Sequence, residues 1–263
     1  KPSFVQPNEN LYFKDRCAVL QRIGHVRTQT DYELPQGRAT GKFYNSRVSY
    51  EGGKWMLSFS MEVEKQDYAL KDCSVGVDLG IKDLAVVSCE GDKMVFPNIN
   101  KTRKVKRLNR YLKHAQRLAA RKTKGSKNRR KAYEKCKRLC ERLASIRHDY
   151  THKTTTKITD LLPSRIVVED LNVRGMMKNR HLARAVAEQN FYKFRAQLEY
   201  KCEERGIELV VANRFFPSSK KCSACGAIHK GLKLKDRIFN CPHCGMSIDR
   251  DFNAALNLEN YVA

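Results

Sequence analysis

Four cysteines constrain the last third of this chain more tightly than any other feature. Cys222 and Cys225 form one C-x2-C pair, Cys241 and Cys244 form a second, and fifteen residues separate them. A C-x2-C pair bends into a tight knuckle that places two thiolates on one side of a turn. Two knuckles complete a tetrahedral set with no open position, as a structural zinc site requires. Gly226 and Gly245 each follow the second cysteine of a pair, where the backbone must curl around the metal. His229 and His243 read as bystanders or phosphate contacts rather than ligands. The other six cysteines (17, 73, 89, 136, 140 and 202) are scattered. One zinc ribbon in a reducing, cytoplasmic setting explains this better than a disulfide scaffold.

Charge narrows the class of partner. The 263 residues carry 52 Lys and Arg against 28 Asp and Glu, a formal net charge of +24. Residues 101–147 hold 20 of the basic residues and only two acids, Glu134 and Glu141. Helices this one-signed repel themselves unless a polyanion neutralises them, so nucleic acid is the expected partner. No apolar run approaches the roughly 20 residues that span a bilayer, so no membrane role is expected.

The hydropathy pattern then gives an order of elements. Residues 1–70 alternate in β fashion, most clearly over Lys54 to Glu64, with turns at Pro35, Gly37, Gly52 and Gly53. Short apolar strands are expected at 74–80, 84–88 and 93–97. A helical stretch over about 101–160 follows, with apolar positions Val105, Leu108, Leu112 and Leu118 before a polar break at Lys122 to Asn128. The remaining expected elements are a strand at 165–170, a helix at about 184–205 and a strand at 207–212. The ribbon at about 215–248 and a final helix from about Asp251 complete the chain.

Three acids fall at instructive places in that order. Asp78 ends the first strand of the three-strand set, Glu169 ends the strand after the basic helices, and Asp251 starts the last helix. The order matches an RNase H-like α/β domain, in which carboxylates from separate elements converge on two metal ions. Magnesium suits such oxygen ligands. Each acid also has a plainer role open to it, Asp78 in a turn and Asp251 as a helix N-cap. Asp170 and Asp249 are the neighbouring alternatives, and Asp83 reads as a turn residue.

The segments GVDLGIKDLAVVS (76–88), RIVVEDLNVRGM (165–176), PSSKKCSACG (217–226) and CPHCGMSIDRDFNAALNL (241–258) resemble the TnpB family. These are transposon-encoded RNA-guided nucleases related to type V CRISPR effectors. The resemblance implies a RuvC-like nuclease over 71–213, interrupted by the basic helices at 101–160. It also implies a zinc ribbon at 214–248 and a closing helix at 249–263, preceded by the second half of a β-rich wedge domain at 1–70. It implies Asp78, Glu169 and Asp251 as catalytic ligands of two magnesium ions, and guide RNA and target DNA as partners. In that setting the basic helices line the nucleic-acid groove, with Arg103, Lys106, Arg110, Arg121, Arg129 and Arg130 as phosphate contacts. The family's helical recognition lobe and first wedge strands have no counterpart in this sequence, which is expected to be a piece or a reduced version of such a protein. A non-cleaving nucleic-acid-binding protein and a strand-transferring transposase are the competing readings.

Overall fold

A computed structural model describes the chain apart from residues 1, 8–9, 31–33, 35–42, 52, 65, 234 and 263. The turns expected at Pro35, Gly37 and Gly52 lie outside the described residues. Two compact units result, Lys1–Lys65 and Gln66–Ala263. The boundary falls five residues before the one read from sequence. Leu70 packs against the second unit's core and the Tyr68 ring sits under Arg205, which ties this connecting segment to that unit.

The first unit contains β1 (Ser3–Val5), β2 (Tyr12–Lys14), β3 (Cys17–Leu20), β4 (Gly24–Arg27), β5 (Phe43–Glu51) and β6 (Lys54–Met61). They form two three-stranded antiparallel sheets, β2-β3-β4 and β1-β5-β6. Alternating apolar residues of both sheets build one core around Leu11, Phe13, Leu20, Phe43 and Val48. Phe13, Phe43 and Phe59 meet there at centroid separations of 5.0–5.6 Å, within the range in which aromatic rings attract.

The second unit begins with β7 (Lys71–Leu79), β8 (Asp83–Cys89) and β9 (Asp92–Pro97). After a 3-10 turn come α1 (Arg103–Ala120) and α2 (Lys127–Thr159), then β10 (Pro163–Glu169). The chain continues through α3 (Val173–Lys178), α4 (Ala183–Gln189), α5 (Phe191–Arg205) and β11 (Glu208–Ala212). It ends with β12 (Ile238–Asn240), β13 (Ser247–Asp249) and α6 (Arg250–Glu259). The main sheet has the order β11-β10-β7-β8-β9, with β10 parallel to β7 and β11, and with β8 and β9 antiparallel.

This is the RNase H-like arrangement expected from the order of acids and strands. The faces of β7 divide by period 2. Val75, Val77 and Leu79 join Ile158 of α2 and Phe194 and Leu198 of α5 in the largest core. Gly76 and Asp78 point the other way, toward α6, which packs across β7, β8 and β10.

The helices depart from expectation in three places. The helix at 184–205 is two helices, α4 and α5, broken at Asn190, whose φ of 55° only a residue tolerant of the left-handed region holds readily. The short helix α3 was not expected; Asn172 caps it by accepting from the Gly175 amide at 2.9 Å. Leu118 is exposed, because α1 meets α2 through the small residues Ala115 and Ala119, packed on Cys136. Among the described residues no helix is long and apolar enough to cross a membrane.

Gly76 is where α6 comes closest to the sheet. A Cβ added there would collide with the Ala255 carbonyl and the Glu259 amide, both backbone atoms that cannot rotate away. We therefore expect Gly76→Ala to destabilise the chain by about 1–3 kcal/mol or more, as overpacking does. Thermal unfolding checks this, and a wild-type melting temperature would contradict the packing described.

Candidate active site and cysteine module

The sheet register brings the first two acids together. Val168 of β10 lies beside Val77 of β7, so the next residues, Glu169 and Asp78, sit level on neighbouring parallel strands. Their carboxyls share a hydrogen bond. Asp251 comes from the first turn of α6. All three side chains retain some solvent access.

Burial pushes Asp78 well above the ordinary carboxylate range, and the charges of Glu169 and Asp251 push it further. Burial also raises Glu169, against the hydrogen bonds it accepts from Ser218 and Asp78. Such crowding of like charges is what a divalent cation relieves. The carboxylates do not close into a group whose ligand oxygens all lie within 4.8 Å of one another. Instead Asp251 pairs with the Arg250 guanidinium at 3.0 Å, and the charge of Arg250 acts on Asp78 and Glu169 as well.

The neighbouring acids are occupied elsewhere. Asp249, not Asp251, caps α6, accepting from the Phe252 amide at 3.0 Å, and it pairs with Lys93 at 3.4 Å. Its pKa is lowered despite partial burial, through the Phe252 amide and Lys93. Asp170 is held by Arg214 at 2.6 Å and Arg195 at 3.7 Å, and Asp83 lies near Lys82 at the start of β8.

The four cysteines meet at one point. Their sulfurs lie within 4.8 Å of one another, with Cys222–Cys244 at 3.7 Å and Cys225–Cys241 at 3.6 Å. Tetrahedral bonds of ~2.3 Å set sulfur–sulfur edges of about 3.8 Å, so the set fits a zinc-sized ion. The knuckles have the same hydrogen bonds. Cys222 N–H donates to Ala227 O and Cys241 N–H to Met246 O, while Gly226 and Gly245 N–H return to the carbonyls of Cys222 and Cys241. Gly226 and Gly245 hold φ of 76° and 75°, which explains the glycines after each pair. The Cys244 N–H, 3.5 Å from Cys241 Sγ, brings that thiol down to about 6.

The module is fastened to the carboxylate site by residues that sequence reasoning did not single out. Asn257 of α6 donates to the carbonyls of Ser218 and Lys221 at 2.8 and 2.7 Å. Asn253 donates to Lys221 O at 2.7 Å and accepts from the Ser223 amide at 3.0 Å. Ser218 in turn donates to Glu169. Two buried asparagines four residues apart, in the otherwise apolar NAALNL stretch, were the available signal.

The basic residues divide into two sets. Arg103, Lys106 and Arg110 lie on one solvent-facing patch of α1 with Lys104 and Arg107. Arg121, Arg129 and Arg130 flank the α1–α2 turn, where Ser126 caps α2 and Arg129 lies over the Tyr133 ring at 5.5 Å.

Two family models match the chain. One described as "Probable transposase" covers residues 58–180, and one described as "Cas12f1-like, TNB domain" covers residues 191–258. A Streptomyces pristinaespiralis protein named "Putative RNA-guided DNA endonuclease" is 39% identical over 225 residues, 86% of this chain and 54% of that protein. InsQ of Escherichia coli (strain K12), similarly described, is 32% identical over 255 residues, 91% of this chain and 60% of its own length. By these matches the chain resembles the TnpB family.

Kinship extends to the CRISPR-associated endodeoxyribonuclease Cas12f1 of Sulfoacidibacillus thermotolerans, 26% identical over 215 residues, 78% of this chain and 50% of that protein. Among solved structures, a chain of a CRISPR-Cas12f ternary complex matches with a TM-score of 0.54 at 22% identity, covering 82% of this chain and 46% of that one. A chain of a Cas12f1–sgRNA–target DNA complex matches at 0.53 and 19%, covering 82% and 55%. The matched part of the chain therefore has the fold of these Cas12f chains. The chain spans just over half the length of the first two curated relatives.

The electrostatics of Asp78 have a measurable consequence. Its raised pKa means that the folded chain holds this proton to higher pH than the unfolded chain does. Stability therefore falls as pH rises from the ordinary carboxylate value of 3.8 through the raised one. Asp78→Asn cannot ionise and removes this slope. In magnesium-free buffer the variant should melt above wild type at about pH 7, and the gap should close toward about pH 4. Equal melting temperatures at neutral pH would contradict the reading.

Proposed function

We propose that this chain is an RNA-guided DNA endonuclease of transposon origin, hydrolysing phosphodiester bonds at a RuvC-like, magnesium-dependent site. The observation that carries the reading is the meeting of Asp78, Glu169 and Asp251, from two parallel strands and one helix, on the α6 face of the sheet. Magnesium, as two ions when bound, supplies activation of the attacking water and charge neutralisation on the leaving 3′ oxygen.

The residues of the chain prepare that chemistry. Asp78 and Glu169 offer oxygen ligands from neighbouring strands of a rigid sheet. Ser218 fixes the orientation of Glu169. Arg250 balances the charge of Asp251. Cys222, Cys225, Cys241 and Cys244 would hold zinc, and the module they close is tied through Asn253 and Asn257 to the helix that carries Asp251. The proposed domains are a wedge-like β unit, a RuvC-like core with the basic hairpin α1–α2, the ribbon, and the closing helix. Guide RNA paired with target DNA is the proposed partner, its phosphates held by the two basic sets on the hairpin.

The test is cleavage by the chain co-expressed with the RNA encoded beside its gene, on DNA complementary to that RNA. Alanine at Asp78, Glu169 or Asp251 should each lower the magnesium-dependent rate by about a thousandfold, corresponding to ~4 kcal/mol of lost transition-state stabilisation. Salt-sensitive binding should persist in all three. Undiminished cleavage in all three would overturn the assignment, and strand-transfer products in place of cut ends would assign the same carboxylates to transposition.

A further inference from the structure

Among the described residues a second cluster of metal-ligating side chains lies apart from the four cysteines. Cys73 Sγ, Cys89 Sγ and a Glu90 carboxylate oxygen all lie within 4.8 Å of one another. The sheet explains the meeting. Val75 pairs with Cys89 across β7 and β8, and Cys73, two residues before Val75, projects from the same face of β7. Glu90 and Gly91 then turn the chain into β9 with φ of 51° and 82°, the left-handed pair of a tight hairpin. Cys73 and Cys89 are half-buried and Glu90 is exposed, so an ion has a path in from solvent.

A further carboxylate reaches Ser88, the residue before Cys89, from the α6 side of the sheet. Glu259 ends α6, accepts a hydrogen bond from Ser88, and adds its charge to the negative end of the helix dipole. In a chain of net charge +24, this corner gathers two thiols and two carboxylates.

We propose that Cys73, Cys89 and Glu90 form a second metal site, for a borderline-soft divalent ion of the zinc class. Two thiolates select such an ion over magnesium. Three protein ligands leave a position for solvent, which distinguishes this site from the closed four-cysteine set. Both thiol protons leave to solvent on binding, and no thiol is oxidised. The ion would join the start of β7 to the end of β8, at the opposite end of β7 from Asp78. The inference concerns metal content and does not depend on the nuclease reading.

Cobalt(II) provides the test, because thiolate-to-cobalt charge-transfer absorption reports sulfur ligands and ignores the carboxylates Asp78, Glu169 and Asp251. The reduced full chain, loaded with cobalt and desalted, should bind through six thiolates. Cys73→Ser/Cys89→Ser should lose about one third of that absorption while keeping the bands of the four-cysteine set. Should that variant fail to fold, Glu90→Gln, an exposed change, should weaken the second equivalent by at least about tenfold, in line with the loss of a metal-bound carboxylate. Wild-type absorption equal to that of the double variant, unchanged affinity in Glu90→Gln, or a Cys73–Cys89 disulfide in the reduced preparation would each overturn the proposal.

Discussion

Helix α6 is held from two sides, and most of what this chain offers chemically depends on that grip. On one side its backbone lies directly on Gly76, where no side chain separates helix from sheet. On the other, Asn253 and Asn257 bind the backbone that enters the first cysteine knuckle. Both asparagines are buried, so leaving either without partners would cost about 1–3 kcal/mol. The helix therefore reports the state of the cysteine module to the sheet. Asp251, in its first turn, and Glu169, through Ser218, feel the same module by different routes.

This arrangement gives the cysteine module a role that its position in the chain conceals. It is an insertion between β11 and α6 rather than a terminal appendage. The carboxylates crowd like charges together, with the Arg250 guanidinium beside Asp251 as counter-ion. Crowded carboxylates keep their places only if they are mounted rigidly. The sheet mounts two of them, and the module with α6 mounts the third. The basic hairpin α1–α2 stands apart from this device, and its density of one sign of charge suits phosphate backbones rather than a defined small ligand.

Much of this was legible from residues alone. Short apolar runs located the strands of the main sheet, and the knuckle glycines anticipated two left-handed turns that the structure contains. The three acids were placed on the right elements because strand ends and helix starts are local features. Ser218, Arg250, Asn253 and Asn257 were not singled out, since each matters only through partners distant in sequence or through a neighbour's charge. Leu118 misled because apolar period does not say which of two adjacent stripes meets a partner, and here the small residues Ala115 and Ala119 allow the closer approach. The break at Asn190 was missed because its residue type permits a left-handed turn without demanding one.

The central claim is that the cysteine module, α6 and the end of β10 behave as one mechanical unit. Hydrogen exchange of the zinc-loaded chain, compared with the chain after chelation under reducing conditions, tests it directly. The account predicts that amides of α6 and of residues 167–169 lose protection together with the knuckles, while β8 and the α1–α2 hairpin keep theirs. Loss confined to the knuckles, with α6 as protected as before, would contradict it.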